Sequence, residues 1–397
     1  MRGDQRETPL SPPQRSLDPD SSASGIGMDR IWSFPHHPVI MHLQSTAPAL
    51  SLGNLVCLLA AFQPCLPQSA EPRYVGEDHT RVLVCTDGGA GAYEAFPDVC
   101  RLPDGRLQCI FYASYTHVGK PSAQWPKGGR ISTCWSSDEG RTWTPASTLY
   151  DSPEDDRDPS ITALRNGGLV VSFFTPSGGV QIIQQRLGSH EWSSPTLLGK
   201  GLGASSPVRE LPNGDWILGA YFEDDAKAYG MTLRSSDQGR SWEPASLIDS
   251  GGQFLDAETD IIALKDGSLF AGLRGGKGAP MNGSRSSDGG KHWTTAQPLG
   301  FVGHCPYLHR APGGQIVLAY RQPVKGPTYG TALRISTDEA KTWGEAVPVD
   351  SVIGAYPSMV SLKDGSVLAV YYEEGGGSNI RARKFRIEKD QVLWLDF

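Results

Sequence analysis

The sequence predicts an all-β chain, a six-bladed β-propeller with four-stranded antiparallel blades, and three observations lead there. Trp143, Trp192, Trp242, Trp293 and Trp343 are separated by 49, 50, 51 and 50 residues, and so regular a period marks one supersecondary unit repeated along the chain. Four of these tryptophans close the same phrase, Ser136-Ser-Asp138-Glu-Gly140-Arg-Thr142-Trp143 and its copies around Asp237, Asp288 and Asp338. A second repeat runs out of phase with the first: apolar runs flank turns of the form Leu-x-Asp/Asn-Gly at Gly105, Gly167, Gly214, Gly267, Gly314 and Gly365.

Each element of the unit has a local cause. The Leu-x-Asp-Gly turn joins two short apolar strands into a hairpin, as at 358–362 and 367–372. A variable loop and a third strand follow. The Ser-x-Asp-x-Gly phrase is then a tight turn, because Ser and Asp side chains bond to nearby N–H groups and Gly takes a positive φ. Its Trp buries a flat face against a neighbour, so the four aspartates read as structural. Four strands per unit, six times over, make the propeller. The last unit has a third strand at 380–387 and no phrase after it. Residues 80–86 are expected to supply its fourth strand and close the ring.

The 397 residues form one large propeller domain over 78–397, and 20% charged with 38% hydrophobic residues is globular composition. A formal net charge of −7 without a basic run argues against nucleic acid. Residues 1–40 are polar, rich in Pro and Ser, and read as a disordered leader or an artefact of an upstream start codon. Residues 41–70 resemble an export signal: an apolar stretch at 47–62 is followed by Gln68-Ser69-Ala70. The n-region is poorly basic, and Pro48 and Asn54 interrupt the apolar part. The expected location is secreted or periplasmic. No other stretch is apolar over the length of a membrane span. Beyond that signal Cys85, Cys100, Cys109, Cys134 and Cys305 remain, none in a C-x-x-C pair, and their odd count leaves at least one thiol without an internal partner. A monomer without a metal or other cofactor is expected.

In such a fold the six first strands line a channel, and the ends of the second strands ring its mouth. Aligned blade by blade, the first column reads Phe96, Asp158, Ser205, Glu258, Cys305 and Tyr356. One residue earlier stand Arg157 and His304; two later stand Asp98, Asp260 and Tyr307. Seven residues past the turn glycines stand Tyr112, Phe174, Tyr221, Arg274, Arg321 and Tyr372. Arginines converging with carboxylates and tyrosines suit an anionic sugar, since Arg forks grip a carboxylate bidentately and a Tyr or carboxylate can attack or stabilise an oxocarbenium-like centre. The alternative is an ion-pair network of Arg157, Asp158, Asp260 and Arg274 that only holds blades together.

The fifty-residue unit is similar to the BNR repeat, or Asp box, and the chain resembles the sialidase (neuraminidase) superfamily over roughly residues 78–390. That resemblance implies a Tyr nucleophile activated by Glu, three arginines on the substrate carboxylate and an Asp acid. The segment Tyr356-Pro-Ser-Met-Val-Ser-Leu-Lys-Asp-Gly365 resembles the one that bears the nucleophile. Glu258 and Arg274, sixteen residues apart, resemble the Tyr-activating Glu and a clamp Arg.

Departures are equally clear. Where the family has Arg-Ile-Pro, this chain has Ala95-Phe96-Pro97, and residues 106–137 hold no Asp or Glu before Asp138 to serve as acid. The third clamp position reads Pro327-Thr328-Tyr329. Arg321 or Arg157 are the available replacement charges, with His117 or Asp98 as replacement acids and Asp158 or Asp98 within reach of the reacting centre. The leading expectation is a secreted exo-glycosidase for sialic acid or another acidic sugar, with Tyr356 as nucleophile. The alternatives are a lyase or hydrolase for uronate-containing glycans using His117 or His304, and a non-catalytic glycan-binding propeller.

Overall fold

The computed structural model describes residues 71–224, 228–253, 255, 258–276, 278–323, 329–374 and 378–397, all within the unit Cys65–Phe397. The expected leader and export signal lie outside the described residues, as do Pro327 and Thr328.

The Leu-x-Asp-Gly hairpins form as their chemistry requires. In each, the Gly N–H returns to the carbonyl at the start of the turn, for example Gly105 to Leu102 at 2.9 Å and Gly365 to Leu362 at 3.2 Å. The six turn glycines have φ between 79° and 91°, a region open to Gly and strained for other residues. Their strands join four four-stranded sheets and one nine-stranded sheet, antiparallel throughout. No helix occurs among the described residues.

The first four-stranded sheet comprises Tyr93–Arg101, Leu107–Ser114, Arg130–Ser136 and Ser147–Tyr150, and the next three repeat its order. In the nine-stranded sheet the long strand Val347–Ser361 serves two sets of partners. Its first half pairs with Tyr329–Ser336 and its second half with Val367–Glu373. The amino-terminal strand Asp78–Cys85 pairs with Ile380–Glu388, which also carries the final strand Gln391–Leu395. First strands of neighbouring sheets lie side by side, and Tyr93–Arg101 touches both Arg157–Ala163 and Val347–Ser361. The architecture is therefore propeller-like, with apolar clusters between adjacent sheets; one joins Phe111 and Cys109 to Val370 and Leu368.

The Ser-x-Asp-x-Gly turns are closed by their own side chains. Asp138 Oδ1 accepts from Ser136 Oγ at 2.8 Å and Thr142 N at 2.9 Å, and its Oδ2 accepts from Thr142 Oγ1 at 2.6 Å. Asp237 and Asp338 repeat the pattern, and in Asp288 His292 replaces the hydroxyl. These aspartates are structural in their contacts. Asp138→Ala should lower stability by about 1–2 kcal/mol, the scale of a lost cap, which a urea midpoint measures.

Buried carboxylates also staple the first strands to one another. Asp98 Oδ2 takes the Ile161 N–H at 2.9 Å, and Asp260 Oδ2 takes that of Leu308 at 2.7 Å. Arg209 closes on Asp260 at 2.6 Å. Tyr307 OH donates to Asp98 at 3.2 Å, and its ring lies beneath Arg209. The ion-pair reading thus holds for Asp260, with Arg209 as its cation. Asp98 and Tyr307, expected in catalysis and in substrate binding, are thus bonded to each other, and both line a small cleft that Asp158 and Tyr356 also border. Asp98 is 2% exposed, and both its oxygens accept backbone N–H groups.

Candidate active site

Four of the six residues in the first column share an unusual backbone. Phe96, Asp158, Cys305 and Tyr356 have φ of 52°, 47°, 51° and 45°, and each precedes a proline. The register with the second strand shifts at all four places, at Ala95/Asp98, Arg157/Ser160, His304/Tyr307 and Ala355/Ser358. Proline disfavours the right-handed helical region for the residue before it. A bulge admits the extra residue and re-aims its side chain into the channel mouth, with strain of about 1–3 kcal/mol at each such position. Just before the bulge, cross-strand partners stand face to face: Arg157 with Phe174, His304 with Arg321, Ala355 with Tyr372.

These bulges and strand ends enclose a cavity of about 450 Å³ whose lining includes Tyr356, Glu258, Arg274, Arg157, Asp158 and Tyr221. At its floor Tyr356 OH donates to Glu258 Oε1 at 2.5 Å, and Arg274 Nη1 donates to the same oxygen at 2.8 Å. The other Glu258 oxygen accepts the Cys305 N–H at 2.9 Å, and Arg274 N bonds to the Glu258 carbonyl at 3.0 Å. The carboxylate is therefore fixed in position and loaded with donors. Burial, and then the Glu258 charge, hold the Tyr356 hydroxyl well above its ordinary range, so it stays protonated near neutral pH.

Asp158 is 5% exposed and accepts from Ser205 Oγ at 2.7 Å, while its Oδ1 has no hydrogen bond. Burial pushes this carboxyl up to about 6 against the opposing pull of Arg157 and Ser205. The Arg157 guanidinium packs over Phe96 and Phe174. Its nearest carboxylate contact is Asp158 at 4.0 Å, and its Nε is buried without a hydrogen bond.

The structure brings Tyr356, Glu258, Arg274, Arg157 and Asp158 together, and leaves the remaining candidates off the cavity lining. Arg321 Nη2 meets His304 Nδ1 at 3.2 Å, and both stack against Tyr329. His117 Nδ1 meets Tyr93 OH at 2.6 Å and lies 3.6 Å from Glu374. Phe96, in the place of the missing first arginine, lies 4.6 Å from the Tyr356 ring and packs also on Tyr372 and Tyr112.

Sequence reasoning missed Tyr93, Glu374 and Glu223. Glu223 lines the cavity, and Glu374 accepts from Tyr372 OH at 2.5 Å. Their signal was available: each glutamate lies two residues past a strand-end tyrosine, Tyr221 or Tyr372. Among the described residues no group of three or more His, Cys, Asp or Glu side chains is arranged to hold a metal ion, and no helix is long and apolar enough to cross a membrane.

Residues 180–369 match the model of the BNR repeat-like domain family. No curated protein matched the chain in sequence. Among solved structures, a protein of unknown function from Dyadobacter fermentans superposes with a TM-score of 0.65 at 21% identity, over 77% of this chain and 97% of that one. An intramolecular trans-sialidase from Ruminococcus gnavus gives 0.61 at 14% identity over 77% and 97%. The NanB sialidase from Streptococcus pneumoniae gives 0.62 at 12% over 76% and 69%. The class is thus an all-β protein with the sialidase fold. Within that fold, residues 180–369 carry the match to the BNR repeat-like domain, a little under half of the chain. At these identities the likeness shows the fold alone, so activity must be argued from the residues.

Proposed function

We propose that the protein is a sialidase-like exo-glycosidase that removes an acidic sugar, sialic acid or another, with retention of configuration. One observation carries this reading: the hydrogen bond from Tyr356 to Glu258, made at the cavity floor with Arg274 on the same carboxylate. A phenol is a weak nucleophile until a neighbouring base accepts its proton. In the proposed reaction Tyr356 Oη attacks the anomeric carbon as its proton passes to Glu258, and Asp158 protonates the departing glycosidic oxygen. Water then attacks the glycosyl-tyrosine; Asp158 takes its proton and Glu258 returns one to Tyr356. Arg157 and Arg274 grip the sugar carboxylate from opposite sides, with Arg321 adding positive potential behind them.

In this reading the nine-stranded sheet counts as two blades sharing Val347–Ser361, and the propeller has six. Residues 41–70 are read as an export signal removed after Ala70, giving a secreted or periplasmic monomer. The mass of the mature protein tests that cleavage. One observation favours a second reading, a non-catalytic glycan-binding propeller: Phe96 and its aromatic neighbours pack beside Tyr356 where the resemblance calls for an arginine. The uronate lyase reading has less support, since His117 and His304 are both engaged by neighbours outside the cavity lining.

A panel of aryl glycosides of sialic acid, glucuronic acid and neutral sugars decides among them. Release from an acidic glycoside alone is expected. Release from none would leave the binding reading. If Asp158 is the proton donor, it is competent below about 6 and loses its proton above. The rate should then fall as pH rises through about 6, and Asp158→Asn should remove that limb from the profile.

A further inference from the structure

Asp-box turns lean on the unit before them, mostly over an apolar side chain, although the turn glycine Gly239 faces Trp216 of its own unit and Gln184 of the one before. A Cβ on Gly140 would meet Leu368, and one on Gly290 would meet Ile217. Trp343 packs against Phe270, and Trp242 joins a cluster containing Val170. Leu368, Ile217, Phe270 and Val170 occupy one equivalent place, three residues past the turn glycine.

The second unit is the one between Trp143 and Trp343 that lacks the polar phrase, reading Gln185-Arg-Leu-Gly-Ser-His-Glu-Trp192. Over the face of the first unit that a box would have covered lies a groove of about 730 Å³. At the equivalent place there stands Gln108, 1% exposed. Its Nε2 donates to Thr133 Oγ1 at 3.2 Å, and its Oε1 has no hydrogen-bond partner. Thr133 matches Thr232, whose hydroxyl accepts from the next box's Trp293 at 3.2 Å. Trp135 stands where Arg285 elsewhere donates to the next box's Glu339 carbonyl at 2.7 Å. Two positions that serve a box in other units have thus been turned, where no box sits above them, into a half-buried indole and an amide with an open acceptor, while the Thr133 hydroxyl donates within its own unit to the Cys109 carbonyl at 3.0 Å. Trp192 lies across the same groove, and the Arg106 guanidinium over Trp135 is neutralised by Asp104 at 2.7 Å.

We propose that this groove is a second carbohydrate site, for a neutral sugar chain, with Trp135 and Trp192 as its platform and Gln108 Oε1 accepting a sugar hydroxyl. Aromatic faces bury the apolar C–H surface of a sugar while its hydroxyls reach polar groups at the edge. A buried acceptor without a partner is destabilising until a donor reaches it. The groove lies at the opposite end of the strand Leu107–Ser114 from Tyr112 and so is separate from the Tyr356 cavity; this inference does not depend on the protein being an enzyme.

The test is titration of the full-length protein with maltohexaose, cellohexaose, chitohexaose and mannohexaose, followed by tryptophan fluorescence and calorimetry. At least one hexaose should bind and alter the emission. Gln108→Leu, which installs the kind of side chain found in the other units, should weaken that binding roughly tenfold. It should leave the thermal midpoint unchanged or higher and any aryl-glycoside hydrolysis intact. Trp135→Ala should abolish binding. Absence of binding across the panel at millimolar concentration, or binding that both variants leave unaltered, overturns the proposal.

Discussion

Tyr356→Phe is expected to lower kcat on the acidic aryl glycoside by about 10³-fold or more, the scale of losing a nucleophile, with KM little changed. The hydroxyl is the only atom removed, and Glu258 keeps Arg274 and the Cys305 N–H as partners, so the fold should survive. Glu258→Gln can still hydrogen bond to Tyr356 but cannot take its proton, and should lose activity on a similar scale. Steady-state kinetics on both variants, beside their thermal midpoints, checks this. Variants within tenfold of the parent would remove Tyr356 and Glu258 from the chemistry.

The second large effect concerns stability. Asp350→Ala should destabilise the fold by about 2–3 kcal/mol, because it leaves the buried Tyr371 hydroxyl without its acceptor and takes one of two carboxylates from Arg81, which keeps Asp78, and from Arg381, which keeps Glu373. Asp350 has a side chain 1% exposed and sits on the strand Val347–Ser361. It accepts from Tyr371 OH at 2.6 Å, from Arg381 at 3.4 Å and from Arg81. Those partners belong to the strands Val367–Glu373, Ile380–Glu388 and Asp78–Cys85, so one carboxylate ties the amino-terminal strand to the last unit. A urea midpoint that drops with an unchanged slope is the expected signature. Proteolysis near residues 71–86 at urea concentrations below the main transition would show which strand leaves first. A loss under about 1 kcal/mol would mean that pairing with Ile380–Glu388 holds that strand without the charge network.

Much of this was legible in the residues, for a physical reason. Turns announce themselves because few residue types take positive φ or return a side chain to the backbone, so Gly105 and Asp138 mark their turns without help. The short apolar strands on either side of each turn, buried on both faces, then have fixed partners, and counting from the turn glycine placed Arg274 and Tyr356 near one another. What did not read out was direction. Asp98 and Asp158 are both acidic residues near the start of a first strand, yet Asp98 turns inward onto backbone N–H groups while Asp158 lines the cavity. The difference lies in two positions of a bulge, and the pre-proline residue at Phe96, Asp158, Cys305 and Tyr356 is its local mark. Long-range partners were harder still: Glu374, from the last unit, meets Tyr93 and His117 of the first, and no short pattern encodes that meeting.

The central claim is that Tyr356 forms a bond to the sugar. The most direct measurement is the intact mass of the protein after reaction with an acidic sugar that carries fluorine beside the anomeric carbon and a good leaving group, which slows release of any covalent intermediate. The predicted result is a gain of one glycosyl unit, located by peptide mapping to Tyr356 and missing from Tyr356→Phe. Turnover of that reagent with no covalent adduct, or an adduct on another residue, would contradict the account.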